Sequence, residues 1–158
     1  MEAEVPVQQP LIDRLIDHDP SSRVEAAPTR GQAVARLRAA LKRDLEWLLN
    51  TRRVAEHRAE PYAEVARSVF NYGLPDLSSS PLNSFEHQMK LLRTVEQTIA
   101  LFEPRLSRVK VTALRPMSRH ERAMHFRIDA LLVMDPAPER VLFDAVLDVG
   151  RGECQVEG

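Results

Sequence analysis

The hydrophobic pattern of this chain changes its period at Pro104, and this change constrains the fold more than any other feature. Before Pro104, apolar residues recur at three- and four-residue steps, the period of an amphipathic helix. After Pro104, apolar and polar residues alternate, as in a strand with one buried face. Helices first and strands second predict an α+β fold, with N-terminal amphipathic helices packed on a C-terminal, mostly antiparallel β-sheet.

Two long helices are predicted before Pro104. The first runs from about Gly31 to Asn50, and Asn50 is expected to end it in a left-handed conformation. The second begins after Ser84, a good N-cap, and ends before Pro104 because proline disfavours helical geometry in the preceding residue. A shorter amphipathic helix is predicted within residues 10–16. The apolar stripes of the long helices are Val34, Leu37, Leu41, Leu45, Leu48 and Leu49, then Phe85, Met89, Leu92, Val95, Ile99 and Phe102.

The alternating segments after Pro104 predict strands at residues 109–113, 124–130 and 141–149, with a last short strand at Glu153–Glu157. Short connections are expected at residues 135–138 and 150–152. We therefore divide the chain into a short N-terminal helix (1–18), a proline- and serine-containing linker (19–30) and one α+β domain (31–158).

Composition excludes several classes of function. A net charge of -1 gives no electrostatic reason to expect nucleic acid or an anionic membrane surface as a partner. The N-terminus lacks the basic and apolar regions of a signal peptide, and no apolar run approaches the roughly 18 residues of a membrane span. One cysteine, Cys154, excludes an internal disulfide framework and favours a cytoplasmic protein.

The sequence offers little catalytic chemistry. The five histidines lack metal-ligand spacing, Cys154 has no partner cysteine, and neither a glycine-rich phosphate loop nor a Gly-x-Ser-x-Gly elbow is present. No catalytic residue, metal or cofactor is therefore predicted. A peptidoglycan hydrolase is the enzymatic alternative, with Glu103 as general acid and Asp144 or Asp148 as its partner. The competing interpretation places both aspartates on a solvated sheet face, paired with Arg127.

Three local segments are not explained by composition alone. They are the helix end at residues 48–53, the turn-rich and apolar segment 68–77, and the helix-to-strand junction 102–106. Each has a structural interpretation as a charged helix end, a Gly/Pro turn or a helix terminator. The apolar residues of segment 68–77 also suggest docking onto the core or onto a partner.

Taken in order along the chain, these segments resemble a known family. The matching stretches are Leu-Ile-Asp-Arg-Leu at 11–15, Asp-Leu-Glu-Trp-Leu-Leu-Asn-Thr-Arg at 44–52, Ser-Val-Phe-Asn-Tyr-Gly-Leu-Pro-Asp at 68–76 and Phe-Glu-Pro-Arg-Leu at 102–106, followed by a β-rich C-terminus. The chain is similar to the lysozyme-like baseplate wedge proteins, a family that includes the type VI secretion subunit TssE. The resemblance does not imply a working hydrolase.

The resemblance implies a cytoplasmic structural subunit at the inner face of the cytoplasmic membrane. Its implied partners are the wedge subunits TssF, TssG and TssK and the sheath proteins TssB and TssC, with a role in starting sheath polymerisation. Baseplate subunits of phage tails or of extracellular contractile particles are the alternative. The expected wedge-binding residues are Glu103, Pro104, Arg105, Arg52, Asn71, Tyr72 and Gly73.

The C-terminal sheet is the expected docking site for the sheath. A short terminal strand leaves an unpaired sheet edge, and a partner strand could satisfy this edge by β-augmentation. The residues expected to form this edge are Val141, Phe143, Ala145, Cys154 and Val156.

Overall fold

The computed structural model of the protein describes residues 9–16, 21, 29–53, 63–76, 84–115 and 121–158. Within them, helices precede strands, so the predicted α+β class is confirmed. The helices are α1 (Leu11–Leu15), α2 (Arg30–Asn50), α3 (Ala63–Ala66) and α4 (Phe85–Phe102), with a 3₁₀ turn at Val69–Asn71. The strands are β1 (Leu106–Ala113), β2 (Ala123–Leu132), β3 (Glu139–Asp148) and β4 (Glu153–Glu157). Most of the predicted linker 19–30 lies outside the described residues.

The start of α2 is fixed by side-chain capping, and the helix ends at Asn50 as predicted. Thr29 Oγ1 accepts a hydrogen bond from the Gln32 N–H, while Gln32 Oε1 accepts one from the Thr29 N–H, which is a capping box. The backbone of Asn50, the last residue of α2, does not adopt the expected left-handed conformation. In the described part of the chain, Arg108 is the one non-glycine residue with positive φ. The side chain of Asn50 instead bonds the backbone of β4.

Helix α4 begins and ends as predicted. Ser84 caps it by accepting a hydrogen bond from the His87 N–H, and Phe102 is its last residue before the Glu103-Pro104 step. Most of the apolar stripe faces the sheet, where Val95 and Ile99 are fully buried, while Phe85 at its start is 74% exposed. In the described part of the chain, no helix combines the length and apolar composition that a membrane crossing requires.

The four strands form one antiparallel sheet in the order β1-β2-β3-β4. Helix α4 lies beside β1, and α2 lies beside β4, so both long helices cover the same face. The core between these layers is aliphatic and aromatic. Its largest fully buried side chains are Phe126, Phe143, Leu41, Leu45, Ile99, Met124, Ile128, Leu132, Leu147, Val95, Val141 and Val156.

The strand order corrects the predicted sheath-docking edge. Val141, Phe143 and Ala145 lie on β3, which is an internal strand with β2 on one side and β4 on the other. Cys154 and Val156 do lie on an edge strand, but their side chains are buried against the core. The alternation of apolar and polar residues identifies the side chains that face the helices. It does not identify which strand lies at the edge of the sheet. At the β4 edge, backbone groups of Cys154 and Val156 point away from β3, towards side chains of α2.

The other face of the sheet carries cross-strand ion pairs. Arg127 donates from Nε and Nη2 to the two carboxylate oxygens of Asp144, at 2.6 and 2.8 Å, which confirms the predicted pairing. These hydrogen bonds hold the pKa of Asp144 below its ordinary value. Asp148 differs from the prediction, because its carboxylate accepts hydrogen bonds from the N–H groups of Gly150 and Arg151 in the β3–β4 turn.

Candidate partner-binding site

The helix-to-strand junction folds back on itself through one ion pair. Glu103 follows α4, and its buried carboxylate accepts hydrogen bonds from Arg105 Nε at 2.6 Å and from Arg105 Nη2. The Arg105 backbone N–H donates to the same carboxylate at 3.2 Å. Pro104 between them is exposed, because the turn brings its neighbours together beneath it. The junction therefore exposes Pro104, and the forked ion pair between Glu103 and Arg105 holds the turn beneath it.

The ion pair continues into a series of alternating charges. Arg105 Nη2 also donates to Asp44 Oδ2 at 2.6 Å, and Arg43 Nη2 donates to Asp44 Oδ1 at 2.8 Å. Arg43 Nη1 then reaches Asp13 Oδ1 on α1 at 2.6 Å. The charge series Glu103–Arg105–Asp44–Arg43–Asp13 thus joins the α4–β1 junction, α2 and α1, which are far apart in sequence.

Both arginines of the charge series are held firmly in their charged form. The pKa of Arg105 is raised above its ordinary value, first by its hydrogen bonds to Glu103 and then, against desolvation, by Asp44. The pKa of Arg43 is raised by its hydrogen bonds to Asp13 and then to Asp44. The series carries three carboxylates and two guanidinium groups, so its polar atoms satisfy one another within the chain.

An open groove of about 470 Å³ lies over the charge series. Its lining is mainly apolar, and it is bordered by α1, by α2 and by the exposed Pro104. The lining residues are Pro10, Leu11, Ile12, Arg43, Asp44, Trp47, Leu48, Tyr72, Phe102, Glu103, Pro104 and Arg105.

Aromatic side chains form two walls of this groove. Trp47 is 57% exposed, and the guanidinium carbon of Arg43 lies 5.0 Å from its ring centroid, a cation–π contact. Tyr72 meets Phe102 edge to face, with ring centroids 5.4 Å apart. Burial, and then the charges of Asp44 and Glu103, raise the pKa of the Tyr72 hydroxyl, so it remains a neutral donor.

Helix α1 brings further apolar surface to the groove. None of its residues is buried, and Leu11, Ile12 and Leu15 are 69%, 60% and 76% exposed. The ion pair between Asp13 and Arg43 ties this helix to α2. The groove and α1 together form a charged floor bordered by exposed apolar side chains.

Four of the seven predicted wedge-binding residues meet at this groove: Glu103, Pro104, Arg105 and Tyr72. Arg52 lies elsewhere, where its Nη2 donates to the Arg151 carbonyl oxygen at 3.2 Å. The Asn71 amide donates to the Val65 carbonyl oxygen within its own turn.

Gly73 has a structural role away from the groove. It adopts φ +102°, and a Cβ there would lie 2.2 Å from the Thr51 carbonyl oxygen. Its neighbour Leu74 donates to that same oxygen at 2.8 Å and accepts from the Arg53 N–H at 2.9 Å. These bonds fasten segment 68–76 to the end of α2, and Leu74 is buried there. The predicted docking of this apolar segment onto the core is confirmed for Leu74, while Leu77 lies outside the described residues.

Sequence reasoning did not assign Arg43, Asp44, Trp47 and Asp13 to the site. One signal was available, because Trp47 falls outside the Leu41, Leu45, Leu48 stripe and is therefore an aromatic residue on the polar face of a helix. The charged residues gave no comparable signal, since charges on a helix face are ordinary and their partners lie far away in the sequence.

The acidic groups that the structure describes are not arranged as a metal or two-carboxylate centre. In the described residues, no three His, Cys, Asp or Glu side chains are grouped to hold a metal ion. Glu103 is bound to Arg105 on the helix-covered side, whereas Asp144 is bound to Arg127 on the opposite face of the sheet. The predicted hydrolase pair Glu103 and Asp144 is therefore divided between the two faces.

The chain is similar to a known protein family. No curated protein matches it. The family model of the baseplate wedge protein gp25 matches residues 35–137, a range that contains most of α2 and all of α4, the junction and the first two strands. This match covers well over half of the chain and includes Asp44, Trp47, Tyr72, Glu103 and Arg105. The chain belongs to the baseplate wedge protein gp25 family.

Proposed function

We propose that this protein is a structural, non-enzymatic baseplate component of a type VI secretion contractile machine. In this proposal it links the wedge complex of TssF, TssG and TssK to the first ring of the TssB–TssC sheath and helps to start sheath polymerisation. It acts in the cytoplasm, at the inner face of the cytoplasmic membrane. The observation that carries the proposal is the groove in which Pro104, Trp47 and α1 expose apolar surface above the charge series.

The exposure of this surface supports a role in assembly. Leu11, Leu15 and Trp47 are each more than half exposed, although burial of such side chains contributes roughly 1.5–3 kcal/mol apiece. Contiguous apolar surface that remains open on one chain usually marks a site for another chain. Tryptophan and arginine are also the residues that most often dominate the energy of protein interfaces.

The internal pairing of the charge series determines how a partner would bind there. Because Arg105 already bonds Glu103 and Asp44, a partner need not supply a counter-charge to a buried ion. We infer that Pro104 and Trp47 make the direct contacts, while Glu103 and Arg105 hold the junction in shape. The sequence-based expectation gave Glu103 and Arg105 the contact role itself.

Sheath docking through the C-terminal sheet is the second half of the proposal. The sheet ends at β4, a five-residue strand at the C-terminus of the chain. Strand addition at an edge adds backbone hydrogen bonds between the partner and the sheet. Baseplate subunits of phage tails and of extracellular contractile particles are the alternative, since sheath docking of this kind would serve them too. The family match favours them equally. The identity of the neighbouring genes distinguishes these machines.

The proposal is tested by co-purification from the native cell. Tagged wild-type protein is expected to recover the wedge and sheath proteins, and Trp47→Ala is expected to lose the wedge proteins while it keeps its fold. Leu142→Ala is the matched control, because Leu142 is 46% exposed on the other face of the sheet. Recovery of no partner by wild type, or equal recovery by Trp47→Ala, contradicts the proposal. A turbidity assay on cell-wall material, with no lysis expected, addresses the hydrolase alternative.

A further inference from the structure

Strand β4 is an edge strand, yet its outward backbone groups are already bonded by helix α2. The Asn50 side chain donates from Nδ2 to the Cys154 carbonyl oxygen at 2.8 Å, and Asn50 Oδ1 accepts from the Cys154 N–H at 2.8 Å. One turn earlier on α2, Glu46 Oε1 accepts from the Val156 N–H at 3.1 Å. Three polar groups that would pair with a fifth strand are therefore occupied. We call Glu46 and Asn50 the edge clamp.

The spacing of the edge clamp matches the repeat of a strand. Residues four apart on an α-helix are separated by about 6 Å along the axis, and residues two apart on a strand by roughly 6.7 Å. Glu46 on α2 therefore lies opposite Val156 on β4, and Asn50 lies opposite Cys154. Beyond the end of α2, Arg52 bonds the Arg151 carbonyl oxygen of the turn that precedes β4. Side chains of α2 thus bond the backbone groups of β4 that a neighbouring strand would otherwise bond.

At the opposite edge of the sheet, a helix side chain also bonds a backbone group of the edge strand. On β1, the Val111 N–H donates to Glu96 Oε2 of α4 at 2.8 Å. The pairing of β1 with β2 shifts between Ser107 and Lys110, where Arg108 has φ +52°. Bulges and covering elements are the means by which sheet edges avoid pairing with other chains. A helix carboxylate at each edge indicates a common device rather than a chance contact.

We propose that the edge clamp is an autoinhibitory contact that closes β4 to extended strands until Glu46 and Asn50 are displaced. The strand that fits the opened edge carries basic residues at alternate positions. The side chains of β4 on the uncovered sheet face are Glu153, Gln155 and Glu157, and Asp144 and Asp148 lie beside them on β3. A second copy of β4 fits poorly, because antiparallel pairing about Gln155 would set Glu153 against Glu157. The inference concerns the free chain and does not depend on the proposed function.

Hydrogen exchange of the full-length protein tests the contact itself. In Asn50→Ala, the Cys154 amide is expected to exchange roughly fivefold to tenfold faster, because the Cys154 N–H loses its acceptor. In Glu46→Ala the same change is expected at Val156. Glu46→Gln keeps an acceptor oxygen and is expected to retain the protection, and Gln97→Ala on the exposed face of α4 is the control. Unchanged exchange in both alanine variants contradicts the inference.

Binding of a strand probe tests the consequence. The probe is a fluorescent peptide of alternating valine and lysine, and its control has proline at alternate valines, which keeps the charge but removes ladder donors. The double variant Glu46→Ala, Asn50→Ala is expected to bind the first peptide at least about tenfold more tightly than wild type does, and not the second. Equal binding by wild type and variant, or equal binding of both peptides, overturns the proposal. Melting curves establish that each variant is folded.

Discussion

Arg105 and Glu103 form a forked ion pair across a single exposed proline, and the carboxylate of this pair is almost completely buried. A carboxylate in such surroundings depends on its partner, because desolvation penalises a charge that has lost its counter-ion. The pair therefore shapes the α4–β1 junction from inside the chain. The pair therefore affects the binding of a partner through the position in which it holds Pro104.

Replacing Arg105 with alanine is expected to destabilise the fold. The change leaves the buried Glu103 carboxylate without its forked donor, so the free energy of unfolding should fall by about 2–3 kcal/mol. Urea unfolding measures it. The double variant Glu103→Gln, Arg105→Met removes both charges and should recover part of the loss. An unchanged urea midpoint in Arg105→Ala would show that the pair contributes nothing to the junction.

Asp13→Asn is expected to release α1 from α2. The helix has no buried residue of its own, and the ion pair of Asp13 with Arg43 ties it to the domain. Amides of residues 14 and 16 should lose protection in hydrogen exchange, while the melting temperature stays within a few degrees of wild type. Arg14→Gln, a charge change on the same helix, is the control. Retained protection in Asp13→Asn would mean that apolar contacts hold α1.

Gly73→Ala is expected to destabilise the protein strongly, and Gly31→Ala is the matched substitution elsewhere. At Gly73 the new Cβ meets the Thr51 carbonyl at φ +102°, whereas at Gly31, in the first turn of α2, nothing lies within 4 Å. The first change should cost more than about 2 kcal/mol, and the second should stabilise by roughly 0.5–1 kcal/mol. Thermal and urea unfolding measure both. Equal effects at the two positions would contradict this account of segment 68–76.

Cys154 is expected to make stability depend on pH in the alkaline range. Burial, and then the charge of Glu46, raise the pKa of its thiol from 9.0 to about 12. The folded state therefore keeps a proton that the unfolded state releases above pH 9, so this contribution is complete below pH 9 and is lost as the pH rises towards 12. Urea unfolding between pH 8 and pH 11 should show a steeper decline for wild type than for Cys154→Ala.

The same burial predicts an unreactive thiol. Thiol reagents act on the thiolate, so modification of Cys154 at pH 8 should be much slower in the folded protein than in urea. Equal rates in the two states, measured with a chromogenic disulfide, would show that the β4 edge opens readily. In that case the steeper alkaline decline should also be absent.

The sequence by itself determined the fold class, most element ends and the location of the junction motif. These features are encoded locally: the period of apolar residues distinguishes helix from strand, Ser84 caps α4, and Pro104 ends it. The resemblance to the baseplate wedge family also rested on such short segments in order, and the family model matches residues 35–137. The cross-strand pair Arg127–Asp144 followed from the same alternation, because opposite residues of a hairpin share a face.

Only the tertiary structure decided which strands are edges and which charges meet. Alternation identifies the buried face of Val141, Phe143 and Ala145 but carries no information about the neighbours of β3. Arg105 finds Asp44 across 61 residues of sequence, and Asn50 finds Cys154 across 104. Such partners are selected by how α2 packs against the sheet, since a polar side chain bonds whatever unsatisfied group the packed backbone brings within reach.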